Sequence, residues 1–183
     1  MHDQLTVEQK DYGLAIEGLV RHHKVDPLEY NAKVDDALPL EDIIKPNPKL
    51  RKLLEDIDRQ NVKLWLFTNA YHTHGNRVVK LLGVQDLFEG ITFCDYGAGT
   101  NLLCKPIPEM YAKAMREAGA EDVKQCYFVD DSALNAAGGT AYGWKSVHLV
   151  ESDAKAPEKP VADYQIQDLE ELREVFPEVF KPA

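Results

Sequence analysis

Positive charge is in short supply in this chain. Its 183 residues include 31 aspartates and glutamates but only 21 lysines and arginines, which gives a formal net charge of −10. A protein that binds nucleic acid through the phosphate backbone needs a basic stripe, so we expect no nucleic-acid partner. Small phosphorylated ligands remain compatible with this charge, because one lysine and a metal ion can hold a phosphate on an acidic protein.

Cysteine and long apolar runs are scarce as well. Cys94, Cys104 and Cys126 are odd in number and lack the spacing of a metal site, so we expect free thiols in a reducing compartment. No stretch approaches the ~18 apolar residues of a membrane span. The segment MHDQLTVEQK lacks the apolar core of a secretory signal. We therefore expect a cytoplasmic or nuclear protein without a membrane partner.

The first part of the chain has a helical pattern. Its length and a hydrophobic content of 44% are those of one globular domain with a small appendage. Apolar residues recur at helical spacing over 7–24 and 48–60. The pair Asp26-Pro27 predicts the start of another helix, over 26–37. The proline-containing stretch 38–48 predicts an extended linker.

An alternating α/β pattern follows. Short apolar runs predict strands, and the segments between them have helical spacing. The predicted strands are 62–67, 91–94, 126–129 and 145–150, and the predicted helices are 73–82, 107–118, 132–142 and 168–175. This alternation indicates a parallel sheet covered by helices on both faces. Ligands of such sheets bind at the carboxyl ends of the strands.

Polar residues that can hold a phosphate follow the first predicted strand and precede a later helix. Thr68 and Asn69 stand at the strand end, where a hydroxyl and exposed loop amides can bind a phosphate oxygen. Lys105 precedes Pro106, and its ammonium can supply a fixed positive charge. Taken alone, these residues are better explained as a polar turn and a solvated surface lysine.

Asp130 and Asp131 follow the third predicted strand. Two adjacent carboxylates at the edge of a core are costly unless a cation or hydrogen-bond donors compensate them, and Mg²⁺ is the natural oxygen-liganded cation. Asn135, one helical turn further on, can brace the carboxylates. The alternative is a helix N-cap by Asp131 or Ser132 that involves no metal.

The order of threonine, lysine and an aspartate pair resembles the haloacid dehalogenase (HAD) superfamily, in which these are the second, third and fourth signature motifs. The segments KLWLFTNAY, LLGVQDLFEGITFCDY, CKP and YFVDDSALN are similar to its fungal pyrimidine 5′-nucleotidase-like branch. DYGLAIEGLV, HKVDPLEYN and VDDALPLEDIIKP, nearer the start, are similar to it too. The similarity extends over residues 10–151, which is most of the chain.

This resemblance implies a three-layer Rossmann-like fold with a parallel sheet. Residues 46–183 would form the core, and residues 1–45 would form part of a helical cap that closes over the substrate. The implied substrate is a small phosphorylated metabolite, a pyrimidine nucleoside monophosphate in this branch, and the implied cofactor is Mg²⁺. The implied site residues are Thr68 and Lys105 as catalytic groups, Thr68, Asn69 and Lys105 for phosphate, Asp130 and Asp131 for the metal, and Ser132 and Asn135 as supports.

One signature of the family is not found. Its chemistry begins with an Asp-x-Asp pair after the first strand, where one aspartate attacks phosphorus and the other protonates the leaving alcohol. In this sequence cap-like helices begin close to Met1, and Asp56-Ile57-Asp58 fits the spelling only at the end of a predicted helix. We therefore expect the first central strand and the nucleophile to be missing.

The absence of the first strand would also leave strand edges unpaired. In the family this strand lies between the strands that end at Thr68 and Asp130, so its absence leaves two facing edges with unpaired backbone groups. Three outcomes stay open. The two strands pair directly, a partner chain or self-association fills the gap, or the chain is an incomplete gene product that folds poorly.

Two functions follow as expectations. The first is a HAD-type phosphomonoester hydrolase that is inactive as it stands, and the second is a non-catalytic pseudo-phosphatase that binds phosphate ligands or a protein partner. Other interpretations are weaker. His72 and His74 do not face one another on a helix, and the GAGTN run at Gly97 lacks the third glycine of a dinucleotide loop. Tyr12 and Tyr30 are better explained by core packing than by stacking on a base.

Overall fold

The computed structural model describes residues 15–99, 102–152, 154 and 156–182. The strands within these ranges are β1 (Trp65–Thr68), β2 (Gly90–Phe93), β3 (Tyr127–Asp130), β4 (Lys145–Leu149) and β5 (Tyr164–Ile166). The helices are α1 (Ala15–His23), α2 (Pro27–Tyr30), α3 (Leu40–Ile43), α4 (Pro48–Glu55), α5 (His72–Leu81), α6 (Pro108–Ala118), α7 (Ala133–Tyr142) and α8 (Leu172–Val175). The predicted α/β class with parallel strands is confirmed.

The strands form two parallel sheets. β1 pairs with β2, and β4 lies between β3 and β5. Over their described residues β1 and β3 form no ladder with one another, so the first predicted outcome, direct pairing of these strands, is wrong. The ring of Phe67 in β1 packs against the ring of Phe128 in β3, with centroids 5.7 Å apart. Side chains therefore join the two sheets where backbone hydrogen bonds do not.

An aromatic cluster packs between the sheets and the helices α6 and α7. Tyr111 of α6 is fully buried and meets Phe67, Phe128 and Trp144 edge to face, with centroids 5.5, 5.9 and 5.1 Å away. Edge-to-face pairs of this kind are favourable beyond the area they bury. Gly139 lets α7 approach β3 closely, since a Cβ there would lie 2.7 Å from Cδ1 of Phe128.

β4 has two different faces because its side chains alternate. Val147 is fully buried and packs with Ile166 and Phe176 on one face. Ser146 lies on the other face, where a Cβ on Gly139 of α7 would come within 2.5 Å of its hydroxyl oxygen. His148, two residues after Ser146, shares that face and is in register with Asp130 of β3. The alternation therefore brings β4 side chains under the carboxyl end of β3.

The N-terminal helices pack on the loop that follows β2. Ile16 and Val20 of α1 are buried in one cluster with Tyr96 and Leu102. The predicted helix 7–24 is seen as α1, and its earlier part, together with Tyr12, lies outside the described residues. α2 begins as predicted, since the Asp26 carboxylate accepts a hydrogen bond from the Glu29 amide at 2.8 Å. A boundary between a cap (1–45) and a core (46–183) stays a prediction.

Several elements differ from the sequence prediction. The predicted helix 48–60 ends at Glu55, and the predicted strand 62–67 is seen as β1, Trp65–Thr68. The predicted helix 26–37 ends as α2 at Tyr30 and continues as a wider π-helical turn, Asn31–Asp35. The stretch 38–48 is not wholly extended, because it contains α3. β5 was not predicted, because Ile166 is its one buried residue and the strand contains no apolar run. No helix in the described ranges is long and apolar enough to cross a membrane.

Candidate active site

An open cleft of about 560 Å³ lies at the carboxyl ends of β1 and β3. The predicted residues that line it are Thr68, Asn69, Lys105, Asp130, Asp131 and Asn135. Ser132 caps α7 beside the cleft, where its hydroxyl accepts a hydrogen bond from the amide of Asn135 at 3.4 Å. The structure therefore brings together side chains that lie more than 60 residues apart in the chain.

A buried ion pair forms the centre of the cleft. Nζ of Lys105 lies 2.6 Å from Oδ2 of Asp130, and the two side chains are 5% and 6% exposed. The ammonium also donates to the carbonyl oxygen of Phe67 at 2.8 Å and lies 4.7 Å from the centre of the Phe67 ring. Lys105 thus bridges β1 and β3, and two of its three protons are used by these contacts.

Asn69 holds the backbone of Lys105 at two points. Its Oδ1 accepts a hydrogen bond from the Lys105 amide at 2.7 Å, and its Nδ2 donates to the Lys105 carbonyl at 2.9 Å. The Asn69 side chain therefore braces the backbone of Lys105. The Thr68 hydroxyl accepts from the amide of Ala70 at 3.0 Å, and its own proton makes no hydrogen bond within the described part of the chain.

Both oxygens of the Asp130 carboxylate accept hydrogen bonds. Its Oδ1 accepts hydrogen bonds from the Ser132 amide at 2.9 Å and from Nδ2 of Asn135 at 3.0 Å, while Oδ2 accepts from Lys105. Tyr111 completes the brace by donating from its hydroxyl to the Asn135 carbonyl at 2.7 Å. Burial, and to a smaller extent the charge of Asp130, raise the pKa of the Tyr111 phenol, so it remains a donor at neutral pH.

Asp131 has the opposite environment. It is exposed on the cleft, and its carboxylate makes no hydrogen bond or ion pair within the described residues. Free carboxylate oxygens suit Mg²⁺, which binds one or two protein carboxylates and keeps several waters. No group of three or more His, Cys, Asp or Glu side chains in the described ranges is arranged to hold a metal. Substrate or water oxygens would therefore complete the coordination of an ion bound here.

Sequence reasoning missed two residues at this site. His148 reaches from β4 to the turn after β3, with Nε2 3.2 Å from the carbonyl oxygen of Asp131. Glu151, just after β4, adds a further acidic residue to the cleft lining. His148 lies in a strand that was predicted, but its closeness to Asp131 follows only from the pairing of β4 with β3. The sequence alone does not show that pairing.

The Asp56-Ile57-Asp58 segment is not part of the cleft lining. Asp56 ends α4 and pairs with Arg173 at 3.0 Å, and the Asp58 carboxylate accepts a hydrogen bond from Asn61 at 2.7 Å. The prediction that this segment lies at a helix end is confirmed, and the absence of a catalytic role stays a prediction.

The chain is an α/β protein with parallel strands, and a buried lysine-aspartate pair lies in the cleft at the strand ends. A family model of haloacid dehalogenase-like hydrolases matches residues 4–143, so the chain belongs to that family and the predicted superfamily is confirmed.

One relative and two solved structures are similar to this chain. "Phosphate metabolism protein 8" of Saccharomyces cerevisiae is 39% identical over 150 residues, which cover 78% of this chain and 47% of the yeast protein. The chain thus spans about half the length of this relative. A HAD phosphatase from Thermococcus onnurineus superposes with a TM-score of 0.61 at 22% identity, over 94% of this chain and 85% of the other. A dehalogenase with an intermediate complex has a TM-score of 0.61 at 16% identity, over 99% and 92% of the two chains. At these identities the solved structures show a shared fold.

Proposed function

We propose that the cleft is the phosphate- and Mg²⁺-binding part of a phosphomonoester hydrolase site. One observation carries the proposal: the buried Lys105 ammonium, the Thr68 hydroxyl and the exposed Asp131 carboxylate line a single cleft at the carboxyl ends of two parallel strands. A phosphate needs donors and positive charge, and a divalent cation needs free carboxylate oxygens. The cleft offers both kinds of group side by side.

Each residue has a separate task in this proposal. The third proton of Lys105, the Thr68 hydroxyl proton and the amide of Asn69 hold the phosphoryl oxygens. Asp131 is the direct ligand of Mg²⁺, and the engaged carboxylate of Asp130 orients Lys105 and the turn that carries Asp131. When bound, Mg²⁺ neutralises charge on the phosphoryl group.

Hydrolysis also requires a carboxylate nucleophile. An aspartate oxygen forms a bond to phosphorus while the ester P–O bond breaks, and an acid gives a proton to the leaving alkoxide. Water then cleaves the aspartyl-phosphate to release phosphate. The carboxylates that the described residues bring to the cleft are Asp130, Asp131 and Glu151, and Asp130 is already bound to Lys105. We therefore propose that the nucleophile comes from outside the described residues.

In this proposal the nucleophile lies between the two sheets. The facing edges of β1 and β3 form no ladder with one another, and Leu66 and Val129 of these strands line the cleft. An extended segment between them would gain backbone partners on both sides and would end beside Lys105. Within the same proposal, self-association through these edges is the alternative way to cover them.

The proposed substrate is a small phosphorylated metabolite, with a nucleoside monophosphate as the first choice. The name of the yeast relative places that protein in phosphate metabolism, which supports a phosphorylated substrate. The nucleotide itself rests on the similarity of KLWLFTNAY and YFVDDSALN to the pyrimidine 5′-nucleotidase-like branch.

A binding and turnover experiment tests the proposal. Inorganic phosphate with Mg²⁺ should raise the melting temperature of the chain, since a ligand that binds only the native state stabilises it. Hydrolysis of p-nitrophenyl phosphate or UMP should be absent or very slow. Lack of any stabilisation by phosphate and Mg²⁺ together would refute the binding site, and robust turnover that survives Asp131→Asn would refute the proposed role of Asp131.

A complementation experiment tests the position of the nucleophile. A synthetic peptide with a short apolar strand followed by Asp-x-Asp should bind the chain and produce Mg²⁺-dependent hydrolysis. The matched control peptide carries Asn-x-Asn in the same strand and should bind equally without producing turnover. If neither peptide binds, the gap between β1 and β3 is not a strand site.

A second candidate function is a non-catalytic phosphate sensor. The observation that favours it is that both oxygens of Asp130 are already hydrogen-bonded, which leaves Asp131 and Glu151 as the remaining acids of the cleft. In that case phosphate and Mg²⁺ stabilise the chain, and the Asp-x-Asp peptide adds no turnover even when it binds.

A further inference from the structure

His148 lies directly beneath the turn that carries Asp131. It is in register with Asp130 across the β3–β4 pair and is only 5% exposed. Its Nε2 lies 3.2 Å from the carbonyl oxygen of Asp131. Because a carbonyl oxygen can only accept, Nε2 must carry the proton in this contact.

The second ring nitrogen differs from the first. Nδ1 of His148 is buried and makes no hydrogen bond within the described residues. A neutral ring that donates through Nε2 has a bare acceptor at Nδ1, and an unsatisfied buried acceptor destabilises a fold. An apolar side chain of similar shape would avoid that penalty, so stability alone does not account for a histidine at this position.

The turn over residues 130–135 has other supports. The Asp130 carboxylate accepts from Ser132 and Asn135, and Tyr111 donates to the carbonyl of Asn135. None of these contacts involves the carbonyl of Asp131, although the adjacent Asp131 carboxylate is the group that must point into the cleft. His148 supplies the contact at that peptide group.

We infer that His148 is a positioning residue: its Nε2–H fixes the peptide group of Asp131, so that the Asp131 carboxylate is held ready for a divalent cation. The inference rests on the proposed function for the role of Asp131. If His148 orients Asp131 but does not stabilise the fold, its removal should lower the affinity for the metal ion. The melting temperature should then stay the same or rise.

Two substitutions separate positioning from packing. His148→Leu removes the donor together with the bare acceptor, and His148→Gln keeps an N–H donor at similar reach. We expect His148→Leu to lower Mg²⁺ affinity about tenfold, as the loss of a supporting hydrogen bond does at metal sites, with an unchanged or higher melting temperature. His148→Gln should restore most of the affinity. Ser146→Ala is the matched control, since Ser146 is buried on the same face of β4 with an unpartnered hydroxyl, and it should leave Mg²⁺ affinity unchanged.

Calorimetric titration of the full chain with Mg²⁺ and thermal melting give these two readouts. A loss of stability in His148→Leu without loss of affinity, or an equal loss of affinity in His148→Gln, would overturn the inference.

Two measurements need no metal. ¹⁵N NMR of the wild-type imidazole should show a proton on Nε2, and amide exchange at Ser132 should be about tenfold faster in His148→Leu, because the turn loses a support. If the wild type binds no Mg²⁺, the proposed function fails on its own. An Nδ1–H tautomer or an unchanged exchange rate would overturn the positioning role independently.

Discussion

Replacing Lys105 with methionine is the most direct test of how the two sheets are held together. The ammonium bridges the Phe67 carbonyl of β1 and the Asp130 carboxylate of β3 at 2.8 and 2.6 Å. Methionine fills a similar volume but carries no charge and donates no hydrogen bond. The Asp130 carboxylate, 6% exposed, would then remain buried with only its two donors from Ser132 and Asn135.

The expected loss of stability in Lys105→Met follows from the burial of the ion pair. Removing one partner of a buried ion pair costs about 3–5 kcal/mol, because the other charge is left uncompensated. That is a large part of the ~5–15 kcal/mol that stabilises a typical domain. At about 2–4 °C per kcal/mol for a chain of this size, the melting temperature should fall by about 6–20 °C. Urea denaturation followed by circular dichroism measures the free-energy change directly.

A second substitution tests whether the uncompensated charge of Asp130 causes the loss of stability. In Lys105→Met/Asp130→Asn the buried charge is gone, so the double variant should recover about 2 kcal/mol relative to Lys105→Met alone. Lys49→Met is the matched control, because the Lys49–Asp168 pair has a similar distance of 2.8 Å but side chains that are 64% and 55% exposed. It should leave the unfolding midpoint nearly unchanged. The reasoning is refuted if Lys105→Met is no more destabilising than Lys49→Met.

Three further predictions concern single side chains. Asp131→Asn should abolish stabilisation by Mg²⁺ in thermal melts while leaving the melting temperature without metal unchanged, because the carboxylate is exposed. Burial raises the pKa of Asp35 above its ordinary value, so the folded state binds the proton more tightly and loses stability as pH rises through that pKa. Asp35→Asn should therefore stabilise the chain at pH 7 and have no effect well below pH 3.8, and equal effects at both pH values would contradict this. Gly139→Ala should cost about 1–3 kcal/mol in chemical denaturation, since its Cβ would lie 2.5 Å from Oγ of Ser146 and 2.7 Å from Cδ1 of Phe128, and a neutral result would mean that α7 can shift.

Local sequence signals were enough for most elements of the core. Gly119 and Gly143 end helices α6 and α7 in the left-handed conformation, at φ of 75° and 105°, where glycine avoids the penalty of a Cβ. Ser132 caps α7, and Asp130 and Asp131 stand at the end of β3 as predicted. Such signals lie within a few residues of the feature they predict, so the sequence carries them directly.

Features that depend on tertiary packing were harder to predict. α3 lies in a stretch whose prolines favour extended chain, and it is held by Arg77, whose guanidinium donates to the Glu41 carboxylate and to the carbonyl of Leu38. β5 exists because the edge of β4 offers backbone partners, and its own three residues carry no apolar run. The different roles of Asp130 and Asp131 also depend on packing, since adjacent residues of the same type differ only in which one faces Lys105.

In the proposed function, the bridge made by Lys105 links the stability of the fold to ligand binding. Two of its three protons hold β1 and β3 together, so one remains for a phosphate. Asp130 cancels the charge of Lys105, while Asp131 and Glu151 add two further negative charges to the cleft lining. A phosphate dianion therefore meets a site that is net negative until a cation binds at Asp131. Binding of phosphate should for this reason depend steeply on Mg²⁺, whereas the ion pair that shapes the cleft should form without any ligand.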